Sequence, residues 1–147
     1  MENDYRLAVI KDKEAIFQID QSVMGECNRK NEIIGSIIQK RCLILCNCNK
    51  IIGYLIFNDN FFGRRFIELL IVHKYYQRKG YGEDILKHFE NEYVENEVFT
   101  STNQSNIPMK LMLVKMGYLE SGIINNLDKD DPEIIFYKKK SGKIINI

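Results

Sequence analysis

One short segment combines glycines with cationic side chains, the hexapeptide Gln77-Arg-Lys-Gly-Tyr-Gly82. It follows an apolar run typical of a buried strand and precedes a pattern typical of a helix. Glycines let the backbone approach a ligand closely, and a helix N-terminus offers unpaired N–H groups with a partial positive charge. Arg78 and Lys79 add positive side chains. The chemistry that these residue types support is the binding of a phosphate or pyrophosphate.

Two familiar phosphate-binding loops do not match this hexapeptide. The Walker loop requires Gly-Lys-Ser/Thr, which does not occur in the chain, and the dinucleotide fingerprint requires a third glycine where Ile85 stands. A plain helix start after a tight turn, with Arg78 and Lys79 in solvent, explains the six residues equally well. The hexapeptide alone leaves both interpretations open.

The apolar spacing predicts the elements that position this segment. Strands are expected at 5–10, 42–48, 51–57, 66–73, 98–102, 118–124 and 133–137, and helices at 12–25, 28–40, 80–94 and 108–117. Turn chemistry is expected at 47–50 and 58–60. The order β-α-α-β-β-β-α-β-α-β-β predicts an α/β fold with mixed strand direction.

The strand expected at 66–73 is apolar on both faces, which is typical of a central strand covered on both sides. Strict alternation places Ile67, Leu69 and Ile71 on one face and Leu70 and Val72 on the other.

Three helices carry apolar stripes that we expect to face the core, and Asp12 is expected to cap the first helix. These stripes are Ile16, Ile19 and Val23; Ile33, Ile34, Ile37 and Ile38; and Ile107, Leu111 and Val114.

The segment 68–86 resembles the acetyl-CoA signature of the GNAT superfamily of N-acetyltransferases, in which a strand is followed by Gln/Arg-x-x-Gly-x-Gly/Ala and a helix. Asn106, Lys115, Gly117 and Tyr118 resemble the family's later pattern, in which an Asn opens a helix that ends in Lys-x-Gly-Phe/Tyr. The resemblance is specific over 42–118, and the element order extends it to nearly the whole chain. It implies one acetyltransferase domain over 1–147, with a mostly antiparallel central sheet, flanking helices and a splayed pair of strands at the acetyl-CoA site.

The resemblance also implies which positions bind the cofactor. Backbone groups of the central strand would pair with pantetheine, one N–H would face the thioester carbonyl, and backbone N–H groups after the strand would hold the pyrophosphate. The positions so implied are Leu70, Ile71, Val72, Gln77, Arg78, Lys79, Gly80, Tyr81, Gly82, Glu83 and Asn106.

The sequence departs from the family at two acid–base positions. Many relatives carry a Tyr as general acid where this chain has Leu113, and some that modify protein N-termini carry a Glu where it has Ser101. Both departures weaken an assignment to ribosomal-protein N-terminal acetylation. Glu68 is the best remaining candidate for the base, because several relatives carry a water-linked Glu there and alternation gives it the parity of the cofactor-binding positions. A carboxylate paired with Arg64 or Arg65 is the alternative.

Other groups with possible chemistry have simpler structural explanations. Tyr118 is the first candidate for the general acid and Tyr137 the second, although tyrosines on strands usually belong to the core or its rim. The remaining candidates are His73 and His88, which titrate near neutrality; Cys42, Cys46 and Cys48, which lack zinc spacing; and the turn carboxylates Asp128, Asp130, Asp131 and Glu133, which could attract a cationic amine. No metal site is predicted.

Composition excludes several classes of protein. The 147 residues suit one domain, and a net charge of +1 argues against a sequence-independent hold on nucleic acid or a polybasic membrane anchor. No run reaches the roughly 18 apolar residues that span a bilayer, and the polar, acidic start differs from a signal peptide. We therefore expect a cytoplasmic protein with reduced cysteines.

Taken together, the residues and the resemblance predict an N-acetyltransferase that transfers acetyl from acetyl-CoA directly to a primary amine on a small molecule, a protein Lys or an N-terminus. The alternative is a GNAT-fold module that binds acyl-CoA without turnover, which the Leu at position 113 supports. A homodimer through the late strands is compatible with both.

Overall fold

The computed structural model describes residues 3–140 and contains seven strands and four helices in that range. The strands are β1 (Asn3–Leu7), β2 (Cys42–Asn47), β3 (Lys50–Phe61), β4 (Arg64–Val72), β5 (Glu97–Asn103), β6 (Leu119–Ile124) and β7 (Glu133–Lys139). The helices are α1 (Lys13–Met24), α2 (Lys30–Ile38), α3 (Tyr81–Tyr93) and α4 (Ile107–Lys115). The predicted order of elements is confirmed.

The seven strands form one sheet in the order β1-β2-β3-β4-β5-β7-β6. Every neighbouring pair is antiparallel except β4 and β5, which run parallel. The prediction of a mixed, mostly antiparallel sheet with the 66–73 region in its centre is therefore confirmed.

Helices cover both faces of the sheet, and the sheet separates the core into two clusters. One lies under α3 and α4 and includes Ile85, Leu86, Phe89 and Leu113. The other lies under α1 and α2 and includes Ile16, Ile19, Ile33 and Ile37. The central strands supply side chains to both clusters, which explains why their sequence is apolar on both faces.

A bulge at Glu68 interrupts the alternation of β4. Ile56 faces Leu69 and Phe57 faces Ile67, so Glu68 is an extra residue with no partner on β3. Ile67 packs under α3 and α4, whereas Leu69 packs under α1 and α2. The prediction that Ile67 and Leu69 share a face was wrong, because alternation assumes an unbroken ladder.

The hairpin between β3 and β4 turns later than the sequence indicates. The polar segment 58–60 continues β3, which ends at Phe61, and the chain reverses at Phe62 and Gly63. Both of these residues have positive φ, 53° and 76°. The polar residues had indicated a turn, but strand pairing with β4 overrides that local preference.

The apolar stripe that was predicted to face the core on α4 faces solvent. Ile107, Leu111 and Val114 are exposed, and Leu113 is fully buried. Methionines at 109, 112 and 116 pack on the core with Leu113, and this set has helical spacing as well. Two stripes compete on α4, and the sequence alone favoured the wrong one. Ile38, at the end of α2, is likewise exposed.

Asp12 stabilises the chain before α1 and does not cap that helix. Its side chain makes no capping hydrogen bond to α1. Its carboxylate accepts the backbone N–H of Val9 at 2.8 Å and a two-bond contact from Arg6 at 2.7 and 3.0 Å. The Arg6 guanidinium lowers the pKa of this carboxyl.

Candidate active site

The parallel strands β4 and β5 pair only at their beginnings. Phe66 lies opposite Phe99 and Ile67 opposite Thr100, and there the pairing ends. The Thr100 hydroxyl donates to the Ile67 carbonyl at 3.0 Å. From Ser101 onward β5 pairs only with β7, so the rest of β4 has an open edge. The splayed pair expected from the resemblance is present.

The open edge exposes main-chain groups at alternate residues. His73 N–H donates to the Ile52 carbonyl on β3 at 2.8 Å, which fixes the phase of the ladder. In an antiparallel pair the hydrogen-bonding direction alternates along the strand. Leu70 and Val72 therefore direct their N–H and C=O groups to the open side, and Ile71 directs its own to β3. One of these groups is already hydrogen-bonded, because the Gln77 side-chain amide donates to the Val72 carbonyl at 3.0 Å.

The start of α3 lies beyond this edge. Gly80 adopts a left-handed conformation (φ 86°, ψ 2°) at the N-cap, and the first helical bond runs from Asp84 N–H to the Gly80 carbonyl. The N–H groups of Tyr81, Gly82 and Glu83 precede that bond, so the helix does not use them. Unused N–H groups and the helix dipole are features that suit an anion at a helix start.

Gly82 leaves space that a side chain would fill. A Cβ built there would lie 3.4 Å from the Met112 sulfur and 4.0 Å from a Val72 methyl. A Cβ built on Gly80 would have no other atom within 4 Å. Gly80 thus provides a left-handed backbone conformation, whereas a side chain at Gly82 would occupy space beside Met112 and Val72.

The open edge and the helix start border the same cavity of about 500 Å³. Ten of the eleven positions implied for the cofactor line it, and Lys79 is the exception. The lining residues are Val23, Leu70, Ile71, Val72, Tyr76, Gln77, Arg78, Gly80, Tyr81, Gly82, Glu83, Asn106, Pro108, Met109 and Met112. Sequence reasoning missed Val23, Tyr76, Pro108, Met109 and Met112. The methionines carried a signal, since they follow Asn106 at helical spacing.

Asn106 stands at the mouth of the cavity as the N-cap of α4. Its Oδ1 accepts the Met109 N–H at 3.3 Å, and Pro108 follows in the first turn, where a missing N–H costs nothing. The cap fixes the start of α4 beside the open edge of β4.

Glu68 lies outside this cavity. The bulge turns its carboxylate toward Asn58 and Arg41, which donate to Oε1 at 2.6 and 3.1 Å. The expected parity with the cofactor-binding positions was therefore wrong. The alternative prediction, in which Glu68 pairs with Arg64 or Arg65, was also wrong, because Arg64 pairs with Glu97 and Arg65 with Asp59.

Tyr118 also lies away from the cavity. It is 2% exposed, and its hydroxyl donates to Glu90 at 2.7 Å. Lys138 binds the other oxygen of that carboxylate at 2.7 Å. Burial and the Glu90 charge raise the pKa of the Tyr118 phenol. The hydroxyl therefore links α3 to the chain just before β6, and Lys138 links the same carboxylate to β7. The structure gives Tyr118 no contact with the cavity in which a general acid would act.

The remaining candidates have structural partners. The pKa of Tyr137 is raised by a hydrogen bond to Glu97, and His88 stacks on Tyr5 at 4.1 Å. His73 accepts the Tyr75 N–H, and burial lowers its pKa.

Carboxylates of the late turn hold its neighbours. Asp128 accepts from Asn103 at 2.8 Å, and Asp131 binds Ser105 through both oxygens at 3.0 and 2.6 Å. These contacts tie the β6–β7 connection to the end of β5.

The cysteines form no cluster with metal ligands. No group of three or more metal-ligating side chains occurs within residues 3–140. Cys42 is buried, which raises its pKa to about 12, and no disulfide joins the cysteines.

A second, larger groove of about 680 Å³ lies at the opposite end of β4. It is lined by charged residues that include Arg64, Arg65 and Lys140, and it contains none of the residues assigned to the cofactor. Its cations are engaged in ion pairs or with the last carbonyls of α3. The smaller cavity is the one with unused main-chain groups, and it is the candidate active site.

Comparison with known proteins supports this assignment of the fold. The family model of the acetyltransferase (GNAT) family matches residues 14–118. The chain belongs to the GNAT acetyltransferase family. It is accordingly an enzyme of the acyltransferase class.

Solved GNAT structures superpose over nearly the whole chain. An acetyltransferase of the GNAT family from Bacillus cereus ATCC 10987 is 38% identical, with a TM-score of 0.90 over 97% of this chain and 100% of that one. The ribosomal-protein-S18-alanine N-acetyltransferase from Escherichia coli is 19% identical, with a TM-score of 0.82 over 99% of each chain. The yncA protein of Salmonella typhimurium, solved with its cofactor acetyl-CoA, is 14% identical, with a TM-score of 0.78 over 97% of this chain and 96% of that one.

The two more distant structures show a shared fold alone. The comparison with curated proteins gives no match. No helix within residues 3–140 has the length and apolar character that crossing a membrane requires.

Proposed function

We propose that this GNAT protein transfers the acetyl group of acetyl-CoA to a primary amine in one direct step. One observation carries the proposal: the unused main-chain groups of β4 and the unused N–H groups of α3 border the same cavity. Pantetheine carries amides that pair with a strand edge, and a pyrophosphate suits a helix N-terminus. Because both features line one cavity, a single ligand that carries both groups can use them together.

Each part of the cavity has a defined role in this proposal. Residues 80–83 hold the pyrophosphate through backbone N–H groups, with Arg78 adding charge. Leu70 and Val72 bind pantetheine, and one of their N–H groups polarises the thioester carbonyl. Asn106 fixes α4 and contacts the cofactor near pantetheine.

The reaction forms a C–N bond and breaks the C–S bond of the thioester. The attacking amine must be neutral, so an ammonium substrate first releases one proton to solvent. On forming the amide the nitrogen loses a second proton, and that proton neutralises the departing thiolate. Glu68 and Tyr118 contact neither the cavity nor each other, so the proposal gives them no direct proton transfer. Catalysis rests on orientation and on the N–H groups that stabilise negative charge on the carbonyl oxygen.

The non-catalytic alternative has one observation in its favour. Leu113, at the position where many relatives carry the acid, is fully buried in the core. The alternative therefore predicts tight acetyl-CoA binding without thiol release.

The experiment that separates the two measures both quantities. Acetyl-CoA binding is followed by calorimetry, and thiol release is followed with a chromogenic disulfide. The amine panel contains ethylamine, hexylamine, spermidine, lysine amide and an alanine-initiated peptide. Binding with amine-dependent release supports the transferase, and binding without release from any amine supports the module. Absence of acetyl-CoA binding would contradict both.

We also propose that two copies associate through β6. This edge strand pairs only with β7, all six of its residues are exposed, and they include Leu119, Ile123 and Ile124. An exposed apolar edge is a template for pairing with another strand. Light scattering of the protein and of Ile123→Lys tests this, since a monomeric wild-type protein would contradict it. The cytoplasmic location and the acceptor remain predictions.

A further inference from the structure

Asp20 is a fully buried carboxylate on the inner face of α1. Its Oδ1 accepts the Tyr54 hydroxyl at 2.8 Å and lies 3.3 Å from Nε of Arg29. Its Oδ2 has no hydrogen-bond partner among the described residues. Burying a carboxylate oxygen without a donor opposes folding. Stability alone therefore does not account for a carboxylate at this position.

Asp12, before the same helix, provides the contrast. It is also buried and paired with an arginine, but Arg6 binds both of its oxygens and the Val9 N–H completes the set. The two aspartates resemble each other in burial and partner type. They differ in position, since neither Asp12 nor its partners Arg6 and Val9 line the cavity.

The partners of Asp20 connect it to the cavity wall. Tyr54 lies directly opposite Ile71 in the pairing of β3 with β4, and Val23 follows Asp20 by three residues on the same face of α1. Ile71 and Val23 both line the cavity. Asp20 is thus connected to Ile71 through Tyr54 and to Val23 through one turn of α1, and Arg29 ties it to the start of α2.

A second contact holds the same turn of α1. The Ser22 hydroxyl oxygen accepts the N–H of Lys74, in the turn that follows β4. The last turn of α1 is therefore fixed to β3, to α2 and to the segment after β4, and Val23 lies between these attachments.

Val23 belongs to a different layer of the molecule from the proposed cofactor contacts. Those contacts come from β4, from residues 77–83 and from Asn106. Val23 is the contribution of the α1–α2 layer among the described residues that line the cavity. An acceptor that approaches the thioester from the α1–α2 layer would meet this wall.

We propose that Asp20 is a positioning residue that fixes the acceptor-facing wall of the cavity through Tyr54 and Arg29. The proposal rests on the proposed function for the identity of the second substrate. Asp20 touches neither substrate; it holds Val23 and Ile71 at the separation that the amine requires.

The test compares Asp20→Asn with Asp12→Asn in steady-state thiol release, with the most active amine of the panel above. Asn at position 20 still accepts the Tyr54 hydroxyl but loses the charge that holds Arg29. We expect the KM for the amine to rise about tenfold, while the KM for acetyl-CoA changes by less than about twofold. Asp12→Asn should leave both KM values within about twofold. Equal changes in the two KM values of Asp20→Asn, or none, would overturn the proposal.

Tyr54→Phe is a second test that can be used if the Asp20→Asn protein does not fold. It keeps the ring in the core and removes only the donor to Asp20, so the KM for the amine should rise in the same direction by a smaller factor. An unchanged KM for the amine in a folded Tyr54→Phe protein counts against the proposal.

A failure of the proposed function is recognised separately. If no amine releases thiol from the wild-type protein, amide hydrogen exchange is measured on the acetyl-CoA-bound protein. The proposal then expects residues 19–29 to exchange about tenfold faster in Asp20→Asn, with residues 80–93 unchanged and acetyl-CoA affinity retained. Unchanged exchange over 19–29 would reject it.

Discussion

The two halves of β4 have similar apolar sequences and different neighbours. The first half pairs with β3 on one side and β5 on the other, and the Thr100 hydroxyl donates across the second pairing. The second half keeps β3 and loses β5, so the main chain at Leu70 and Val72 faces a cavity. The bulge at Glu68 lies where the two halves meet. One strand therefore serves as a structural element at its start and as a ligand-binding edge at its end.

Substitution of Gly82 should have the largest effect on the open half. In Gly82→Val the added methyl groups extend toward Met112 and Val72 and fill space beside the open edge. We expect acetyl-CoA affinity to fall about a hundredfold, equivalent to about 2.7 kcal/mol, as measured by calorimetry. Gly35→Val is the matched control, because a Cβ on that helical glycine meets nothing within 4 Å. Comparable losses in both variants would contradict the role assigned to the open edge.

Gly80 tests the backbone conformation that starts α3. Alanine at its φ of 86° is strained, and a shifted helix start misaligns the N–H groups of residues 81–83. We expect Gly80→Ala to bind acetyl-CoA about tenfold more weakly. Gly63→Ala, strained in the same way at the tip of the β3–β4 hairpin, should lose similar stability without loss of affinity. Weaker acetyl-CoA binding by the Gly63 variant would remove the distinction between the halves.

Thr100 tests the paired half. Thr100→Val keeps the shape of the side chain and removes the hydrogen bond to the Ile67 carbonyl. We expect the free energy of unfolding, measured by urea denaturation, to fall by about 1 kcal/mol, with acetyl-CoA affinity unchanged. A large change in affinity would mean that the splay depends on this hydroxyl.

Glu68 should give the smallest effect, although it stands at the junction of the halves. Its contacts with Asn58 and Arg41 are partly exposed, and such pairs contribute little to stability. For Glu68→Gln we expect thiol release within about twofold of the wild-type rate. A loss of a hundredfold would restore Glu68 as the base and contradict its location outside the cavity.

Much of the site could be predicted from the sequence because its chemistry is local. A glycine at a helix start, the N–H groups after it and the capping Asn106 all depend on neighbours within a few residues. Ten of the eleven positions that the family resemblance implied for the cofactor line one cavity. The element order was predictable for the same reason, since apolar periodicity records which segments are buried.

The errors occurred where distant segments decide the outcome. Glu68 was assigned a face by alternation, which a bulge against β3 reversed. Tyr118 was a candidate acid because the position of the usual tyrosine holds Leu113, but its hydroxyl donates to Glu90, 28 residues earlier in the chain. The stripe on α4 was ambiguous because two sets of apolar residues share helical spacing.

The sequence by itself determined the helix start at residues 80–83 and the central position of β4, because these follow from local periodicity and spacing. The GNAT family was indicated by the resemblance of its motifs to that family's signature, which the family match over residues 14–118 bears out. Tertiary structure alone decided that β5 leaves β4 after Ile67, that Glu68 faces away from the cavity, and that Val23 joins the wall from the other side of the sheet. Each of these depends on register and packing between segments far apart in the chain. Pairing energies between such segments are set only when the whole sheet and both helical layers come together.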